Sequence, residues 1–533
     1  MTPPAGDLLS QIGHFLILLH GHILPRILLA YMLVYSVFIL IKYRHTSISA
    51  TPRSDLPGPK GHPLIGNTIE MAQRPPGSTH QRQMAFHKQY GKVFSLTVLG
   101  LGRVIHVREP QVVDHILRVN FWAYEKGGFF RETLRPIFGN GIFSADGQHW
   151  RWQRKAASKI FNVNWYRTYT STIFRQESQL VINYFNKITD TKVIDLQSIF
   201  YLFTLDSFGR VGFGESFGCL IDPEKEVPFA GAFDRLTANL SLRFNWPFWR
   251  LTDWWTGNNK KVAADTKIVY DFAYKVIHRR RDGDDETGAK RPEILRSSGK
   301  DLMQLFMEAT DEKGERLTDE GLKDTLINFL LAGRDTTAQA LSWMFYLIHR
   351  SQTRKEVLTK LREEIDTVLQ GGYPTYETIQ AQKYTKACFF ETLRLYPSVP
   401  QNIRCVLEDD ILPGGIKVYK GEKVTWGIWG MGRDTDIWGP DAEEFRPERW
   451  LQGDKFPSSR FVSFHLGPRT CLGQQFAYIQ AITITSMLLQ KFEFELVDPH
   501  NEPVYGTSLT LPMANGLPVR ITRRRDDPFR HEE

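Results

Sequence analysis

A short stretch near the C-terminus carries the residues most able to do chemistry. Residues 464–473 read Phe-His-Leu-Gly-Pro-Arg-Thr-Cys-Leu-Gly, and an apolar run typical of a helix follows over residues 474–489. The glycines and the proline predict a tight loop. Cys471 then lies where free backbone N–H groups and the positive end of a helix favour a thiolate. A thiolate is a soft ligand suited to haem iron. Burial as a structural cysteine is the alternative.

Two neighbours of Cys471 support the interpretation as a ligand loop. Gly473 has no side chain and would let a flat macrocycle approach the backbone, and Arg469 could pair with a propionate. For the other three cysteines, Cys219, Cys388 and Cys405, we expect structural burial.

A second candidate for chemistry is the sequence Ala-Gly-Arg-Asp-Thr-Thr at residues 332–337. Glycine inside a helix costs about 1 kcal/mol relative to alanine, so Gly333 needs a reason. The hydroxyl of Thr336 can bond the carbonyl of Ala332, which we expect to open the helix locally and admit water. Asp335 beside that hydroxyl can relay protons to reduced dioxygen. The alternative is an ordinary core helix with a solvated Arg-Asp pair.

The elements that must position these residues are mainly helices. The clearest helix is predicted over residues 319–350, with Thr318 as its N-cap and acidic residues in its first turn. Short strands are predicted at 93–98 and 104–107. Residues 279–300 are charged and rich in helix-breaking residues, so we expect an exposed loop. The fold class is therefore mainly α with a minor β-sheet (α+β).

The N-terminus predicts a membrane anchor. Residues 23–41 carry no charged side chain except that of Arg26, and Lys42 and Arg44 follow them, which favours a cytosolic body. A cleaved signal peptide is the competing interpretation, but no small-residue cleavage site follows. A further apolar patch at 15–19 is predicted to lie in the membrane interface.

We expect four parts along the chain. These are an anchor at 1–45 (span 23–41), a proline-rich hinge at 46–60, one body at 61–521 and a charged tail at 522–533.

Composition excludes several classes of protein. The 533 residues include 42% hydrophobic residues and 24% charged ones, too apolar for a disordered chain and too charged for many membrane spans. Four cysteines without paired spacing argue against a disulfide framework. The net charge of +8 permits an acidic partner or an anionic membrane surface. We expect no nucleic-acid partner, because no stripe of Lys and Arg is interleaved with aromatic residues.

The cysteine loop resembles the ligand loop of cytochrome P450, whose pattern is Phe-x-x-Gly-x-Arg-x-Cys-x-Gly. Every fixed position is filled, by Phe464, Gly467, Arg469, Cys471 and Gly473. The resemblance runs from about residue 56 to residue 521. It implies the cytochrome P450 fold, a single large haem domain and haem b with Cys471 as the axial ligand.

The resemblance also implies roles for other residues. Those that would bind haem propionates are Trp150, Arg154, Arg469 and, less directly, Arg404. Those that would serve oxygen are Ala332 and Gly333 in the oxygen pocket and Asp335 and Thr336 in proton delivery. Those that would form a buried structural ion network are Glu391, Arg394 and Arg449.

Three segments resemble one branch, that of fungal alkane and fatty-acid hydroxylases and plant fatty-acid ω-hydroxylases. They are residues 139–150, 329–337 and 467–477. The branch implies hydroxylation by O2 at or near the end of an aliphatic, lipid-like substrate, with electrons from NADPH through NADPH-cytochrome P450 reductase. It also implies a single-pass protein of the endoplasmic reticulum membrane with a cytosolic body. A tailoring oxygenase of secondary metabolism and a haem-binding sensor or carrier without turnover are the alternatives.

Two surface features each admit two interpretations. Arg151, Lys155 and Lys159 recur every four residues and form a basic stripe that could dock an acidic reductase or be an ordinary solvated face. The aromatic segment at 245–255 could touch the membrane or pack in the core.

Overall fold

The computed structural model describes residues 10, 14, 20, 23–72, 78–159, 161, 163–188, 191–282, 301–310, 314–350, 354–453 and 458–525. Helices dominate these residues, as the sequence predicts. In chain order the α-helices are α1 Leu24–Lys42, α2 Thr68–Ala72, α3 Thr79–Tyr90, α4 Pro110–Asp114, α5 Gly127–Phe138, α6 Gly147–Ser158, α7 Val163–Trp165, α8 Ser171–Phe185, α9 Leu196–Phe208, α10 Pro228–Asn245, α11 Trp249–Trp255, α12 Asn258–Asp282, α13 Leu302–Glu308, α14 Asp319–His349, α15 Arg354–Leu369, α16 Tyr376–Ala381, α17 Lys383–Leu395, α18 Ile428–Met431, α19 Thr435–Trp438 and α20 Gln474–Lys491.

Three small sheets accompany the helices. Their strands are β1 Val93–Val98, β2 Gly102–Val107, β3 Tyr124–Glu125, β4 Val193–Asp195, β5 Gln401–Val406, β6 Asp410–Leu412, β7 Ile416–Val418, β8 Lys423–Gly427, β9 Phe492–Leu496 and β10 Pro518–Arg523. The largest sheet has the order β1-β2-β8-β5-β3, with β2 and β8 parallel and its other pairs antiparallel. The others are β4-β10-β9 and the hairpin β6-β7. The predicted fold class and both predicted strands are confirmed.

Helix α14 is the central element of the body. Its first turn is capped by Thr318, whose hydroxyl accepts a hydrogen bond from the Gly321 N–H at 3.2 Å, so the predicted cap is confirmed. Nearly every side chain of α14 is buried, because α9, α17 and α20 pack against it. A helix about 46 Å long that is buried all round holds its residues rigidly at the middle of the molecule.

Helix α1 and the segment after it behave differently. None of the α1 side chains is buried, and the helix is long and apolar enough to cross a membrane. The proline-rich segment predicted as a hinge instead packs on the body. The Ser95 N–H donates to the Pro57 carbonyl at 2.9 Å, and Arg53 forms an ion pair with Glu422 at 3.0 Å. Strand β1 offers free backbone groups that the segment satisfies.

Two predicted boundaries shift. Helix α12 continues to Asp282, so the loop predicted from residue 279 begins later, and residues 283–300 lie outside the described residues. Strand β10 continues to Arg523, and Arg524 pairs with Asp366 at 2.8 Å. The predicted tail therefore starts later than residue 522, while 526–533 lie outside the described residues, as does the patch at 15–19.

Candidate active site

The cysteine loop is closed by its own backbone. Residues Gly467–Arg469 form a single 3-10 turn, and the Cys471 N–H donates to the Phe464 carbonyl at 2.8 Å. Gly467 has a φ of +63°, and a Cβ there would lie 2.0 Å from the Leu117 carbonyl oxygen. Only glycine fits, so the loop lies directly on the backbone around Leu117.

Cys471 differs from the other three cysteines. Its side chain is exposed, whereas Cys219 and Cys388 are buried and Cys405 is half-buried. Surrounding protein nevertheless raises the pKa of the Cys471 thiol, while the Gly473 N–H and the charge of Arg154 lower it. The sequence suggested that the helix end would favour the thiolate form of Cys471. In the structure desolvation has the larger effect, and it raises the pKa of the thiol.

Arginine side chains predicted to meet propionates converge beside this loop. The Arg154 guanidinium donates to the Thr470 carbonyl. Arg469 stands over the Trp150 ring, 4.3 Å from its centroid, and donates to Asp146 at 2.7 Å. Trp150 is buried, so its ring is a fixed platform for the Arg469 guanidinium.

Arg404 joins the cluster with two residues that the sequence interpretation missed. Arg404 is 1% exposed and lies 2.7 Å from Nε2 of His465. Burial, together with the charge of Arg469, lowers the pKa of Arg404 to about 9. Burial and the charges of Arg404 and Arg469 lower the pKa of Lys126 well below its usual range. His465 lies in the cysteine loop, residues 464–473, and could have been noticed there. Nothing in the sequence around Lys126 indicates that it joins this cluster.

This charge balance is the structural test of whether a haem fits. Arg404, Arg469 and Lys126 bring three cations together, and the acid that faces all three is Asp146. Burial, together with the charge of Arg154, lowers the pKa of Arg469 to about 10. Cations that depress one another's pKa values are relieved by an added anion. A haem carries two propionates, so the residues present fit it, with Cys471 as the thiolate donor.

The motif on α14 differs from its predicted geometry in part. The Thr336 hydroxyl donates to the Ala332 carbonyl at 2.6 Å, as predicted. The helix nevertheless runs unbroken from Asp319 to His349, so the expected local opening is wrong. The carbonyl of Ala332 has two lone pairs, so it can accept both from the Thr336 hydroxyl and from the backbone N–H of Thr336 without breaking the helix. Ala332 and Thr336 are the two partly exposed side chains of this stretch, on one face of α14.

Asp335 forms an ion pair with its other neighbour in the chain, Arg334. It accepts a hydrogen bond from the Arg334 guanidinium at 2.8 Å, and Arg334 also pairs with Asp234 of α10 at 2.6 Å. Arg334 and Asp335 are each 2% exposed. The alternative of a solvated Arg-Asp pair is therefore wrong. Burial raises the pKa of Asp335 to about 7 against the opposing charge of Arg334.

Gly333 has a packing contact that explains its identity. A Cβ at this position would lie 2.1 Å from the Phe208 ring of α9. Glycine lets α9 and α14 approach closely, and this contact compensates for the cost of glycine in a helix. The structure thus places Gly333 against Phe208 and gives no separate indication that it contacts oxygen.

The predicted ion network is assembled around Glu391. Its carboxylate accepts from Arg394 at 2.7 and 2.8 Å and from Arg449 at 2.9 Å. The Trp450 indole N–H donates at 2.9 Å, and so does the backbone N–H of Arg446. Glu391 is fully buried. The cluster ties α17 to the segment that precedes the cysteine loop.

A mainly helical body with this loop, and with buried cations suited to propionates, defines a haem-thiolate protein. A family model described as Cytochrome P450 matches residues 56–516. Cytochrome P450 monooxygenase cyp1 of Mycosarcoma maydis is 36% identical over 515 residues, covering 92% of this chain and 79% of that protein. Cytochrome P450 86B1 of Arabidopsis thaliana is 36% identical over 441 residues, covering 78% and 76%. Cytochrome P450 CYP94D109 of Paris polyphylla is 35% identical over 436 residues, covering 78% and 84%.

The chain belongs to the cytochrome P450 family and is a monooxygenase that uses haem with a cysteine thiolate on the iron. The family resemblance, the enzyme class and the cofactor predicted from the sequence are confirmed. Haem bound through a thiolate supplies the activation of dioxygen. The family uses O2, typically with a redox partner reductase, and acts on lipophilic substrates.

Proposed function

We propose that this monooxygenase hydroxylates a fatty acid or n-alkane at or near the end of its chain. The observation that carries the proposal is that residues 139–143 are hydrogen-bonded to α14. They belong to the segment 139–150, which resembles the aliphatic hydroxylase branch. The Asn140 N–H donates to Asp324 at 2.8 Å and the Phe143 N–H to Asn328 at 3.1 Å. A Cβ at Gly141 would lie 2.0 Å from the Asn328 amide.

These contacts pin an apolar segment between α14 and Trp150. Ile142 and Phe143 are partly exposed, and Ile142 packs against the cluster that contains Trp150. An apolar wall held rigidly beside the haem-binding residues suits an aliphatic chain, because burying methylene groups is favourable by about 0.8 kcal/mol each.

We propose the following roles within the site. Cys471 would ligate the iron, and Gly473 would let the macrocycle approach the loop. The propionates would be held by Trp150, Arg154, Arg404 and Arg469. Phe464 and Gly467 shape the loop. On α14, Ala332 and Gly333 border the oxygen pocket, and Asp335 and Thr336 deliver protons. The buried ion network has a structural role and takes no part in the chemistry: it supports the cysteine loop through Glu391, Arg394 and Arg449.

We further propose that electrons come from NADPH through NADPH-cytochrome P450 reductase at the basic stripe. Arg151, Lys155 and Lys159 are all exposed, and the Arg151 guanidinium lies 3.9 Å from the Trp122 ring centroid. Trp122 is itself 57% exposed. A cationic face with an exposed aromatic residue suits an acidic partner.

Helix α1 is proposed to cross the endoplasmic reticulum membrane once, leaving the body in the cytosol. Its 19 residues reach about 28 Å, close to the hydrocarbon thickness of about 30 Å. The domain organisation proposed is this anchor, the packed segment 46–60 and one haem domain. In α11, Trp254 and Trp255 are 66% and 82% exposed, which supports contact of residues 245–255 with the same membrane.

The substrate proposal is tested with the full-length protein in lipid vesicles containing the reductase. Each compound is first titrated for a substrate-induced shift of the haem spectrum, and products are then identified by mass spectrometry after NADPH is added. We expect shifts and terminal hydroxylation with fatty acids from dodecanoic to octadecanoic acid or with the matching alkanes. Turnover of terpenoids or polyketides, with no response to acids and alkanes, would replace the proposal by a tailoring oxygenase.

A further inference from the structure

One buried arginine is shared by two carboxylates from different helices. Arg334 of α14 donates to Asp335 at 2.8 Å, and to the two oxygens of Asp234 at 2.6 and 3.2 Å. Arg334 and Asp335 have 2% and 3% of their side chains exposed, whereas Asp234 of α10 has 52% exposed. The chain of ion pairs therefore runs from solvent to the middle of the helix that borders the oxygen pocket.

Few other ionisable groups face this chain among the described residues, and at its solvent end Arg235 interacts electrostatically with Asp234. From α9, Tyr201 presents its ring 4.5 Å from the Arg334 guanidinium, and its hydroxyl accepts from the Gln339 amide at 2.9 Å. Cys219 is close enough to interact electrostatically with Arg334, and Asp206 faces Cys219. Both Tyr201 and Cys219 are neutral near pH 7, because burial raises their pKa values. Arg334 is thus the cation that Asp335 depends on.

A single guanidinium cannot fully neutralise two carboxylates. Asp234 takes two of the donors of Arg334 and adds a negative charge of its own. Burial raises the pKa of Asp335 to about 7, Arg334 lowers it and Asp234 raises it again. Without Asp234, Arg334 would be free to turn wholly toward Asp335 and hold it as an anion.

We infer that Asp234 is a positioning residue for proton delivery: by holding Arg334 from the solvent side, it keeps the guanidinium shared between two carboxylates and so prevents Arg334 from binding Asp335 alone. The inference rests on the proton-delivery role proposed for Asp335. A proton from solvent protonates the Asp335 carboxylate, the carboxylic acid donates it toward the oxygen pocket, and solvent restores it. Because the bond joins α10 to α14, proton supply also depends on α10 being seated against α14.

The test compares Asp234→Asn with wild type in the full-length, haem-loaded protein. The carboxylic-acid C=O stretch of Asp335 is followed by infrared spectroscopy from pH 5 to pH 9, about two pH units either side of the titration near pH 7, and is identified by its loss in Asp335→Asn. We expect Asp234→Asn to lower the titration midpoint by at least about one pH unit. We also expect the solvent deuterium isotope effect on turnover to rise, and Asp234→Glu to restore both readouts.

A matched control is the neighbouring ion pair between α10 and α12, which contains Asp265 of α12. Arg235 of α10 pairs with Asp265 at 2.6 Å on the surface, so Asp265→Asn removes a comparable carboxylate that does not touch Arg334. We expect it to leave the midpoint and the isotope effect unchanged. An unshifted midpoint in Asp234→Asn, or an equal shift in Asp265→Asn, would overturn the inference.

The proposed role of Asp335 can fail separately. If Asp234→Asn shifts the midpoint but Asp335→Asn leaves product formed per NADPH unchanged, then Asp234 controls the ionisation of Asp335 but Asp335 is not the proton donor. That result would refute proton delivery through this pair.

Discussion

Replacing Glu391 by alanine removes the acceptor at the centre of the buried ion network. In the wild type the carboxylate accepts from the guanidinium groups of Arg394 and Arg449, from the Trp450 indole and from the Arg446 backbone. The substitution leaves two guanidinium groups near the core, of which Arg394 is 1% exposed and Arg449 6% exposed. No other described carboxylate bonds Arg394, while Arg449 keeps a contact with Asp441 at 3.3 Å.

The expected magnitude follows from these contacts. Removing one partner of a buried ion pair costs about 3–5 kcal/mol, because the other charge stays desolvated. For a body of this size the entropy of unfolding is about 1 kcal/mol per kelvin. We therefore expect Glu391→Ala to lower the melting temperature by about 3–5 °C, and to reduce the fraction of chains that hold haem, since the network supports the cysteine loop.

The assay is thermal unfolding followed by circular dichroism, together with haem absorbance per chain. Lys267→Ala is the control, because its i,i+4 pair with Asp271 is exposed on both sides and is worth about 0.3–0.5 kcal/mol. A loss below about 1 kcal/mol in Glu391→Ala, comparable to the control, would refute the claim that a buried unpaired charge dominates the effect.

Three further predictions address the ligand, the hydroxyl and the pH dependence of stability. Cys471→Ser should abolish the long-wavelength Soret band that thiolate ligation gives the reduced carbon monoxide complex; retention of the band would mean that another residue binds the iron. Thr336→Ala, which removes the hydroxyl bonded to Ala332, should keep that band but lower product formed per NADPH; unchanged coupling would exclude Thr336 from proton delivery. Although burial opposes it, hydrogen bonds from Tyr124, His115 and Asn120 lower the pKa of Asp410 to about 2. Its stabilising effect is therefore complete above the unfolded value of about 4 and is lost as the pH falls through 2; Asp410→Asn should flatten urea midpoints measured across that range, and an unchanged slope would contradict the assignment.

Features with a local physical cause were predictable from the sequence. Thr318 caps α14 because a hydroxyl before an acidic first turn satisfies free N–H groups. Helix α20 begins after Gly473. Strands β1 and β2 form where β-branched residues are frequent, because such residues favour strands. The cysteine loop was predictable because its fixed residues are adjacent in the chain.

Features that depend on distant residues were not predictable in the same way. The family resemblance implies an oxygen-pocket role for Gly333, whereas its contact with Phe208 of α9 could be found only in the structure. The bond between Thr336 and Ala332 is local and was predicted, whereas its effect on the helix was not, since buried neighbours along α14 hold the helix straight.

The sequence by itself determined the mainly helical class, the apolar N-terminal helix and the position of the candidate thiolate, because periodicity, caps and loop residues act within a few positions. Only the tertiary structure decided which charges meet. Lys126 and His465 join Arg404 beside the loop, and Asp234 reaches Arg334 from 100 residues away. Charge interactions depend on distance and burial in space, and neither quantity is set by position along the chain.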